Sequence, residues 1–399
     1  MTTLDVLPRA KTAHVTLALI ALAMGGFAIG TTEFVTMGLL PEISRGIHED
    51  IPTTGHIITA YAFGVVVGAP VIVSLGAHLP KRELAMGLVL ALGIGNAITA
   101  VASGYWPVMI ARFVAGLPHG AYFGVASLIA ASLVAPEFRG RAISSVMLGL
   151  SVATVVGVPV TARLGQLLGW RSAYWFVLGI TILTAIAMWF FVPHSKGNHE
   201  ASVRKELSAL KRPQVLFAVA TGMVGFGGIF ALYSYIAPVV TDVTHLSKSF
   251  IPVFLFAYGV GSVLGTWIAG RLADWNVGKS VVGGFIAMAV VLALFVLAAP
   301  YVVPAMFLVF LTGVLGSVIA ICLQIRLMHA AGDAQMLGAA LNHSALNIAN
   351  GLGALLGSVV IEAGHGYRSP SLVGVGLAVV GLMIFGVSLW QQKRTATVS

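Results

Sequence analysis

Charged residues are scarce in this sequence. Of its 399 residues only 9% are Asp, Glu, Lys or Arg, whereas 58% are hydrophobic and the mean hydropathy is +0.98. Average soluble chains carry about 25% charged residues, so a chain of this composition could not cover a water-facing surface. Soluble enzymes, secreted domains and disordered regulators are therefore excluded, and the sequence predicts an integral membrane protein.

Cysteine is almost absent as well. The single cysteine, Cys322, lies inside an apolar run, which excludes a disulfide framework and a paired-cysteine metal site. The sequence contains no Walker loop, no HExxH pair and no Cys-His cluster, so neither ATP hydrolysis nor metal catalysis is indicated. We therefore predict no cofactor and no metal site.

Long hydrophobic runs, by contrast, are abundant. A helix needs roughly 20 residues to cross about 30 Å of hydrocarbon, and twelve runs of suitable length occur. Transmembrane β-strands are only about 10 residues long and alternate apolar with polar residues, so these runs predict helices. The predicted spans are residues 15–40, 53–75, 84–102, 107–133, 141–168, 172–192, 213–240, 250–270, 280–299, 303–328, 336–363 and 370–390.

The basic residues are distributed unevenly between the two ends of the spans. With both termini placed inside, the predicted cytoplasmic segments hold 16 of the 22 Lys and Arg residues, the opposite side holds five, and Arg112 lies within a span. Cytoplasmic loops retain positive charge, so the net charge of +9 is explained by topology. We predict that both termini are cytoplasmic, that the chain's surroundings are the lipid bilayer, and that it binds no nucleic acid.

The longest polar stretch divides the chain between the sixth and seventh spans. It predicts an N-terminal six-helix half at residues 1–193, a cytoplasmic linker at 194–212 and a C-terminal six-helix half at 213–399. The predicted fold is an all-α membrane protein with two six-helix halves around a central cavity, as in one large class of carriers. Because each chain holds both halves, we expect a monomer to function.

Two ionisable side chains lie deep inside predicted spans. Glu33 lies roughly 10 Å from the outer end of the first span, and Arg112 roughly 9 Å from the outer end of the fourth, at 1.5 Å per residue. A charge at this depth costs several kcal/mol unless it is paired or hydrated. We predict that Arg112 faces the cavity and that Glu33 alternates there between acid and carboxylate. The structural alternative is a static ion pair that joins two helices.

His119 lies two helical turns beyond Arg112. Because imidazole titrates near neutral pH and can relay a proton, we include it among the predicted proton-coupling residues. The alternative is a histidine that only hydrogen-bonds inside the helix bundle.

Polar and aromatic side chains in the second half are candidates for contact with a substrate. The eleventh span carries Asn342, His343 and Asn347 at helical spacing, which favours a stripe that lines a cavity or bonds to neighbouring helices. Spans seven and eight carry Tyr233 and Tyr258, which could stack on a flat or cationic solute or anchor at the membrane interface. We predict that these five residues bind substrate.

Several motifs resemble the major facilitator superfamily. Residues 30–42 (GTTEFVTMGLLPE) resemble the opening of its drug:proton antiporter type with twelve spans, within the bacterial arabinose and drug efflux permease group. Residues 112–120 (RFVAGLPHG) are similar to motif B, and the resemblance implies that Arg112 takes part in proton coupling. Residues 149–159 are similar to antiporter motif C, which implies that Gly157 and Pro159 form a bend tied to export.

The loops after the second and eighth spans resemble motif A unequally. The first reads GAHLPKR at 76–82 and lacks the usual aspartate, whereas the second keeps the pattern GRLAD at 270–274. Side chains near helix ends can close the cytoplasmic mouth by pairing across the two halves. The residues to which the resemblance gives this conformational role are Gly76, Lys81, Arg82, Gly270, Arg271 and Asp274.

The resemblance implies a secondary active transporter of the bacterial inner membrane that exports a small organic solute, such as a drug or a sugar, in exchange for protons. A dedicated sugar or nucleoside exporter and a proton symporter stay open as alternatives. A polytopic membrane enzyme and a channel or receptor are alternatives from other classes. The lack of paired carboxylates, or of a nucleophile near a base, argues against an enzyme.

Overall fold

A computed structural model describes residues 12–49, 51–194, 208–247 and 250–398. The apolar runs are helical because, in hydrocarbon, a helix satisfies its backbone hydrogen bonds within its own segment. Ten continuous helical stretches in these ranges are long and apolar enough to cross a membrane, and two of them, Val253–Ala298 and Val302–His365, are long enough for two spans each. The prediction of an all-helical chain with twelve spans is confirmed.

The N-terminal half contains spans α1 to α6. The fifth span, α5, is not a uniform helix: Arg139–Val152 continues through a π-helical turn at Ala153–Gly157 into Val158–Leu168. The other spans are α1 (Thr12–Gly38), α2 (Ile51–Gly76), α3 (Lys81–Val101), α4 (Tyr105–Ser132) and α6 (Arg171–Phe191).

The C-terminal half contains spans α7 to α12. Ile251–Ala298 holds both α8 and α9, which meet at Asn276, where the backbone is extended (φ −168°, ψ 101°). The other spans are α7 (Pro213–Gly225 and Gly227–Tyr233), α10 (Val302–Ala331), α11 (Gln335–Val360) and α12 (Ser369–Val398). Residues 195–207 of the predicted linker lie outside the described residues, and Ala209–Lys211 forms a 3-10 turn.

Glycines bring the second and fourth spans of each half into close contact. A Cβ on Gly64 or Gly68 of α2 would collide with carbonyl oxygens of α4, and a Cβ on Gly261 or Gly265 of α8 would collide with carbonyl oxygens of α10. Small residues permit such backbone approach between membrane helices. The same packing at equivalent helices is a structural trace of the repeat in the two halves.

The two halves contact each other through α11, which packs on α2 and α4, and through α5, which packs on α8. At the predicted cytoplasmic end, Asp274 accepts a hydrogen bond of 2.7 Å from the Gly140 backbone N–H and forms a 3.0 Å ion pair with Arg141. Further hydrogen bonds between the halves run from Gln324 to Ser127 and from Ser144 to the Thr266 carbonyl, each at 2.6 Å. These contacts form a floor that closes the space between the halves on this side.

Candidate functional site

A cavity of about 910 Å³, counting the part open to solvent, lies between the halves. Both halves contribute to its wall, as the predicted fold requires. The N-terminal half supplies Glu33, Phe34, His119, Met147, Leu150, Ser151 and Thr154. The C-terminal half supplies Phe226, Phe230, Tyr233, Tyr258, Ser262, Thr266, Gly316, Ser317, Ala320, Ile321, His343, Leu346, Asn347 and Asn350.

Glu33 is the one acidic side chain among the described residues that line this cavity. It is half-buried, and within the described part of the chain its carboxyl group has no hydrogen-bond or ion-pair partner. A carboxyl group placed in this way can exchange its proton with the cavity without first breaking an interaction. The static ion pair with Arg112, the structural alternative for these two residues, is not formed.

Arg112 occupies a different position from the predicted one. Its side chain is fully buried and does not line the cavity, so the prediction that it faces the cavity is wrong. Its guanidinium donates hydrogen bonds to the Oγ1 and the carbonyl oxygen of Thr32, at 3.0 and 3.1 Å, and lies 4.4 Å from the ring centre of Tyr61 and 5.5 Å from that of Tyr174. Polar and aromatic groups, rather than a carboxylate, therefore accommodate this charge.

Two histidines from opposite halves meet at the cavity. His119 Nε2 on α4 lies 3.3 Å from His343 Nδ1 on α11, and the hydroxyl of Tyr61 lies 3.2 Å from His119 Nδ1. Both imidazoles are buried and belong to the cavity wall. The sequence indicated each histidine separately, but it gave no sign that the two are in contact, because 224 positions separate them.

Aromatic side chains form one part of the wall. Tyr233 and Tyr258 line the cavity, and their ring centres are 4.6 Å apart at an interplanar angle of 43°. Phe34, Phe226 and Phe230 line it too, although none of them was predicted to bind substrate. Aromatic residues occur throughout the predicted spans, so composition alone could not separate these three from rings that face lipid.

The polar stripe of α11 is only partly directed to the cavity. His343 and Asn347 line it, and Asn350, one further turn along, does so as well. Asn342 is fully buried outside the wall, where its Nδ2 donates a 3.1 Å hydrogen bond to the Ala320 carbonyl on α10. Asn342, which was predicted to contact substrate, therefore does not line the cavity, and its Nδ2 takes part in helix packing instead.

A row of hydroxyl groups completes the wall and was not predicted. Ser151 on α5 shares hydrogen bonds with Ser262 at 3.0 Å and Thr266 at 2.8 Å, both on α8, and Ser262 shares one of 2.8 Å with Ser317. The four-residue spacing of Ser262 and Thr266, which places both on one face of α8, was the available signal. These hydroxyls join the two halves and present polar groups to the cavity.

The residues assigned to a bend in α5 are found at an irregular segment. Gly157 ends the π-helical turn, and Pro159 lies in the first turn of the helix that follows. A Cβ at Gly157 would collide with Thr31 and Phe27 of α1, so this glycine lets α5 approach α1 closely.

The two loops that resemble motif A behave differently in the structure. In the second half, Asp274 reaches across to α5, as described above, and Gly270 packs against Arg141 and Ser144 of the other half. Arg271 instead bonds to the Trp267 carbonyl at 3.2 Å within its own helix.

In the first half, Lys81 begins α3, and Gly76 ends α2 beside Leu84. Arg82 pairs with Glu83 at 3.1 Å and donates hydrogen bonds to backbone carbonyls at the end of α6, so its contacts stay within the half.

Comparison with known proteins agrees with this architecture. The family profile described as Major Facilitator Superfamily matches residues 22–336, well over half of the chain. The chain belongs to the major facilitator superfamily. It is therefore a membrane transporter and not an enzyme, which sets aside the membrane-enzyme and channel alternatives.

Relatives match over nearly the whole chain. The inner membrane transport protein YdhP of Escherichia coli strain K12 is 36% identical over 381 residues, covering 96% of this chain and 98% of that protein. A chloramphenicol resistance protein of Streptomyces lividans is 32% identical over 380 residues, with coverage of 92% and 95%. Among solved structures, the transporter FucP in its outward conformation gives a TM-score of 0.75 at 15% identity, with coverage of 94% and 99%, a likeness that concerns the fold.

Proposed function

We propose that this transporter of the major facilitator superfamily is a proton-coupled exporter of small organic solutes in the bacterial inner membrane. In the proposed arrangement both termini are cytoplasmic, in accord with the excess of basic residues on that side, and a single chain is the functional unit. The observation that carries the proposal is the unpaired carboxyl group of Glu33 in the wall of the cavity between the halves.

Glu33 is proposed as the site of proton exchange. A carboxylate at membrane depth is costly without a partner, and protonation removes that cost. The charge state of Glu33 therefore alters the free energy of any conformation in which the cavity is sealed from water. Uptake of a proton on one side of the membrane then favours rocking of the two halves. Release of the proton on the other side returns the carrier to its starting conformation.

The shared location of Glu33 and the proposed substrate wall supports exchange rather than symport. Glu33, Tyr233 and Tyr258 line the same cavity, so a solute that occupies it lies against the proton site and alters its access to water. In this scheme loading of the solute on the cytoplasmic side displaces the proton. Arg112 and His119 are proposed to adjust this equilibrium, Arg112 through its positive charge near Glu33 and His119 as a cavity-lining imidazole.

The chemistry of the wall supports an amphipathic solute. Five aromatic rings offer surfaces for an apolar or flat portion, and the hydroxyls of α5 and α8, together with Asn347 and Asn350, offer hydrogen bonds. A relative named for chloramphenicol resistance is consistent with an organic drug of this kind. A sugar is the second candidate, because the hydroxyl and amide groups would suit a polyhydroxylated solute.

Opening and closing are proposed to involve the motif residues. Asp274 with Gly140 and Arg141 would hold the cytoplasmic side closed, and the irregular segment at Gly157 and Pro159 would let α5 bend. Gly76, Lys81, Arg82, Gly270 and Arg271 are proposed to shape the ends of the helices that move.

The experiment is solute-driven proton movement in proteoliposomes, with chloramphenicol, arabinose and a nucleoside as probes. Glu33→Gln should abolish proton movement, because glutamine cannot take up a proton. The matched control is Glu362→Gln, a carboxyl group exposed outside the cavity, which should behave as the wild type. Normal proton coupling in Glu33→Gln would overturn the assignment of Glu33, and probe uptake without proton movement in the wild type would overturn the proposed exchange.

A further inference from the structure

Three polar side chains form a hydrogen-bonded series that crosses from one half to the other beside the cavity. The series runs from Tyr61 on α2 through His119 on α4 to His343 on α11, with separations of 3.2 and 3.3 Å. Phe123 stacks on the His343 ring at 4.2 Å and an interplanar angle of 10°. This stacking fixes the plane of the imidazole, and the bond to His119 fixes the direction of its Nδ1.

The direction of the hydrogen bonds follows from counting donors. Within the described residues the Tyr61 hydroxyl has one hydrogen-bond partner, His119 Nδ1. If Tyr61 donates, His119 carries its hydrogen on Nε2 and donates it to His343 Nδ1, so His343 carries its hydrogen on Nε2. The reverse order would leave the Tyr61 hydroxyl hydrogen without an acceptor at a buried position that does not line the cavity. Donation by Tyr61 instead leaves the free hydrogen on His343, whose ring lines the cavity and can find an acceptor there, and because an unmade bond of a buried donor is costly, this is the favoured order.

Arg112 strengthens this preference. Its guanidinium lies 4.4 Å from the ring centre of Tyr61, and a cation over a phenol ring draws electron density from it, which makes the hydroxyl a better donor. The other ionisable groups around the pair are Glu33 on α1, Tyr233 on α7 and Tyr258 on α8, which line the same cavity. In this arrangement both imidazoles are neutral, since each uses one nitrogen as an acceptor.

His343 Nε2 is the last polar atom of the series. It is buried and has no hydrogen-bond partner, although its ring lines the cavity. We propose that Tyr61 sets the direction of this series so that His343 offers an Nε2 hydrogen to the substrate, and that transported solutes carry a hydrogen-bond acceptor oxygen at this position. The inference rests on the proposed function and narrows the substrate class to amphipathic solutes with such an oxygen.

The position of the series also links recognition to closure. His119 and His343 belong to opposite halves, so the series is intact only while the halves are in contact at this level. A solute that accepts the His343 hydrogen would therefore bind best with the floor closed, and by linkage would favour that conformation. In this scheme Tyr61 and His119 are positioning residues, and His343 contacts the solute.

The direct test is magic-angle-spinning NMR of the full chain in liposomes, with ¹³C,¹⁵N-labelled histidine. His119→Gln and His343→Gln identify the two residues among the 11 histidines by loss of signal. If either variant fails to fold, a ¹⁵N–¹⁵N contact between rings 3.3 Å apart identifies the pair in the wild type. Both residues should be neutral with hydrogen on Nε2. A His343 hydrogen on Nδ1, or an imidazolium at neutral pH, would overturn the inference.

A tyrosine variant tests the role of Tyr61 specifically. Tyr61→Phe should convert the His119 signal into a mixture of tautomers while keeping the ring beneath Arg112. Tyr235→Phe is the matched control, because its hydroxyl donates to the Ala354 carbonyl at 2.6 Å and it does not line the cavity. An unchanged His119 tautomer in Tyr61→Phe would show that Tyr61 does not set the direction.

Binding of three probes tests the substrate class. Chloramphenicol and arabinose carry acceptor oxygens, and tetraphenylphosphonium carries none. We expect at least one oxygen-bearing probe to bind the wild type and to lose about tenfold or more in affinity in His343→Leu, which a lost hydrogen bond to a buried donor can cause. Equal affinity of the oxygen-bearing probes for the wild type and His343→Leu would overturn the proposed substrate class. Absence of binding by either oxygen-bearing probe would overturn it as well. The tautomer result does not depend on transport, whereas probe uptake without proton movement in the wild type would reject the proposed exchange alone.

Discussion

Arg112 donates two hydrogen bonds to Thr32 and none to the adjacent Glu33. Thr32 in turn donates its hydroxyl hydrogen to Asn96 on α3, so one residue of α1 connects three helices of the N-terminal half. The arginine therefore holds the backbone of α1 at the position where Glu33 begins to line the cavity. The Arg112 charge acts on the Glu33 carboxyl group from a buried position outside the cavity. The carboxyl group itself stays open to water and solute.

Replacement of Arg112 by lysine should weaken the N-terminal half. Lysine keeps the charge but cannot form the paired contact to Thr32 Oγ1 and the Thr32 carbonyl. We expect a loss of about 2 kcal/mol in the free energy of unfolding, in the range for hydrogen bonds to a charged group, measured by thermal unfolding in detergent. Arg45→Lys is the control, since its side chain is 76% exposed, and an equal loss in both variants would contradict the argument.

Replacement of Asp274 by alanine should open the predicted cytoplasmic side. The change removes the acceptor for the Gly140 N–H and the partner of Arg141, which together favour the closed floor by about 1–3 kcal/mol. Distances between spin labels at Glu137→Cys and Lys279→Cys, both exposed in the described structure, should shift toward longer values. Asp242→Ala, exposed outside this contact, should leave the distances unchanged, and no shift in the Asp274 variant would refute the role of this contact.

Replacement of Gly265 by alanine should destabilise the C-terminal half. The added Cβ would collide with the Val314 carbonyl on α10, and overpacking of this kind costs about 1–3 kcal/mol. Gly376→Ala is the matched change, because no atom lies within 4 Å of the added Cβ there. Thermal unfolding should separate the two variants, and a Gly265→Ala protein as stable as Gly376→Ala would show that α8 and α10 can move apart freely.

Replacement of Tyr258 by alanine should weaken the binding of an aromatic solute. The ring forms part of the cavity wall beside Tyr233, and aromatic contacts contribute about 0.5–1.5 kcal/mol, or roughly two- to tenfold in affinity. Equilibrium binding of labelled chloramphenicol to purified protein is the measurement. Tyr301→Ala, whose side chain is 66% exposed on the surface, serves as the control. If both variants bind chloramphenicol alike, Tyr258 does not contact this solute.

The candidate site could be predicted in part from the sequence. Glu33, His119, His343, Asn347, Tyr233 and Tyr258 were chosen as polar, ionisable or aromatic groups within apolar spans, and all six line the cavity. Arg112 and Asn342 met the same criteria and do not line it. The criterion detects side chains that need a polar or specific environment, but a neighbouring helix can supply that environment as well as a cavity can.

The sequence by itself determined the membrane location, the twelve spans and the division into halves. These features depend on the length of apolar runs and the position of polar ones, which act locally through the cost of exposing groups to hydrocarbon. The tertiary structure alone decided which face of each helix meets the cavity, that Arg112 bonds to Thr32, and that His119 meets His343. A helix that is apolar on all sides carries little sequence signal of its rotation, so contacts with other helices must fix it.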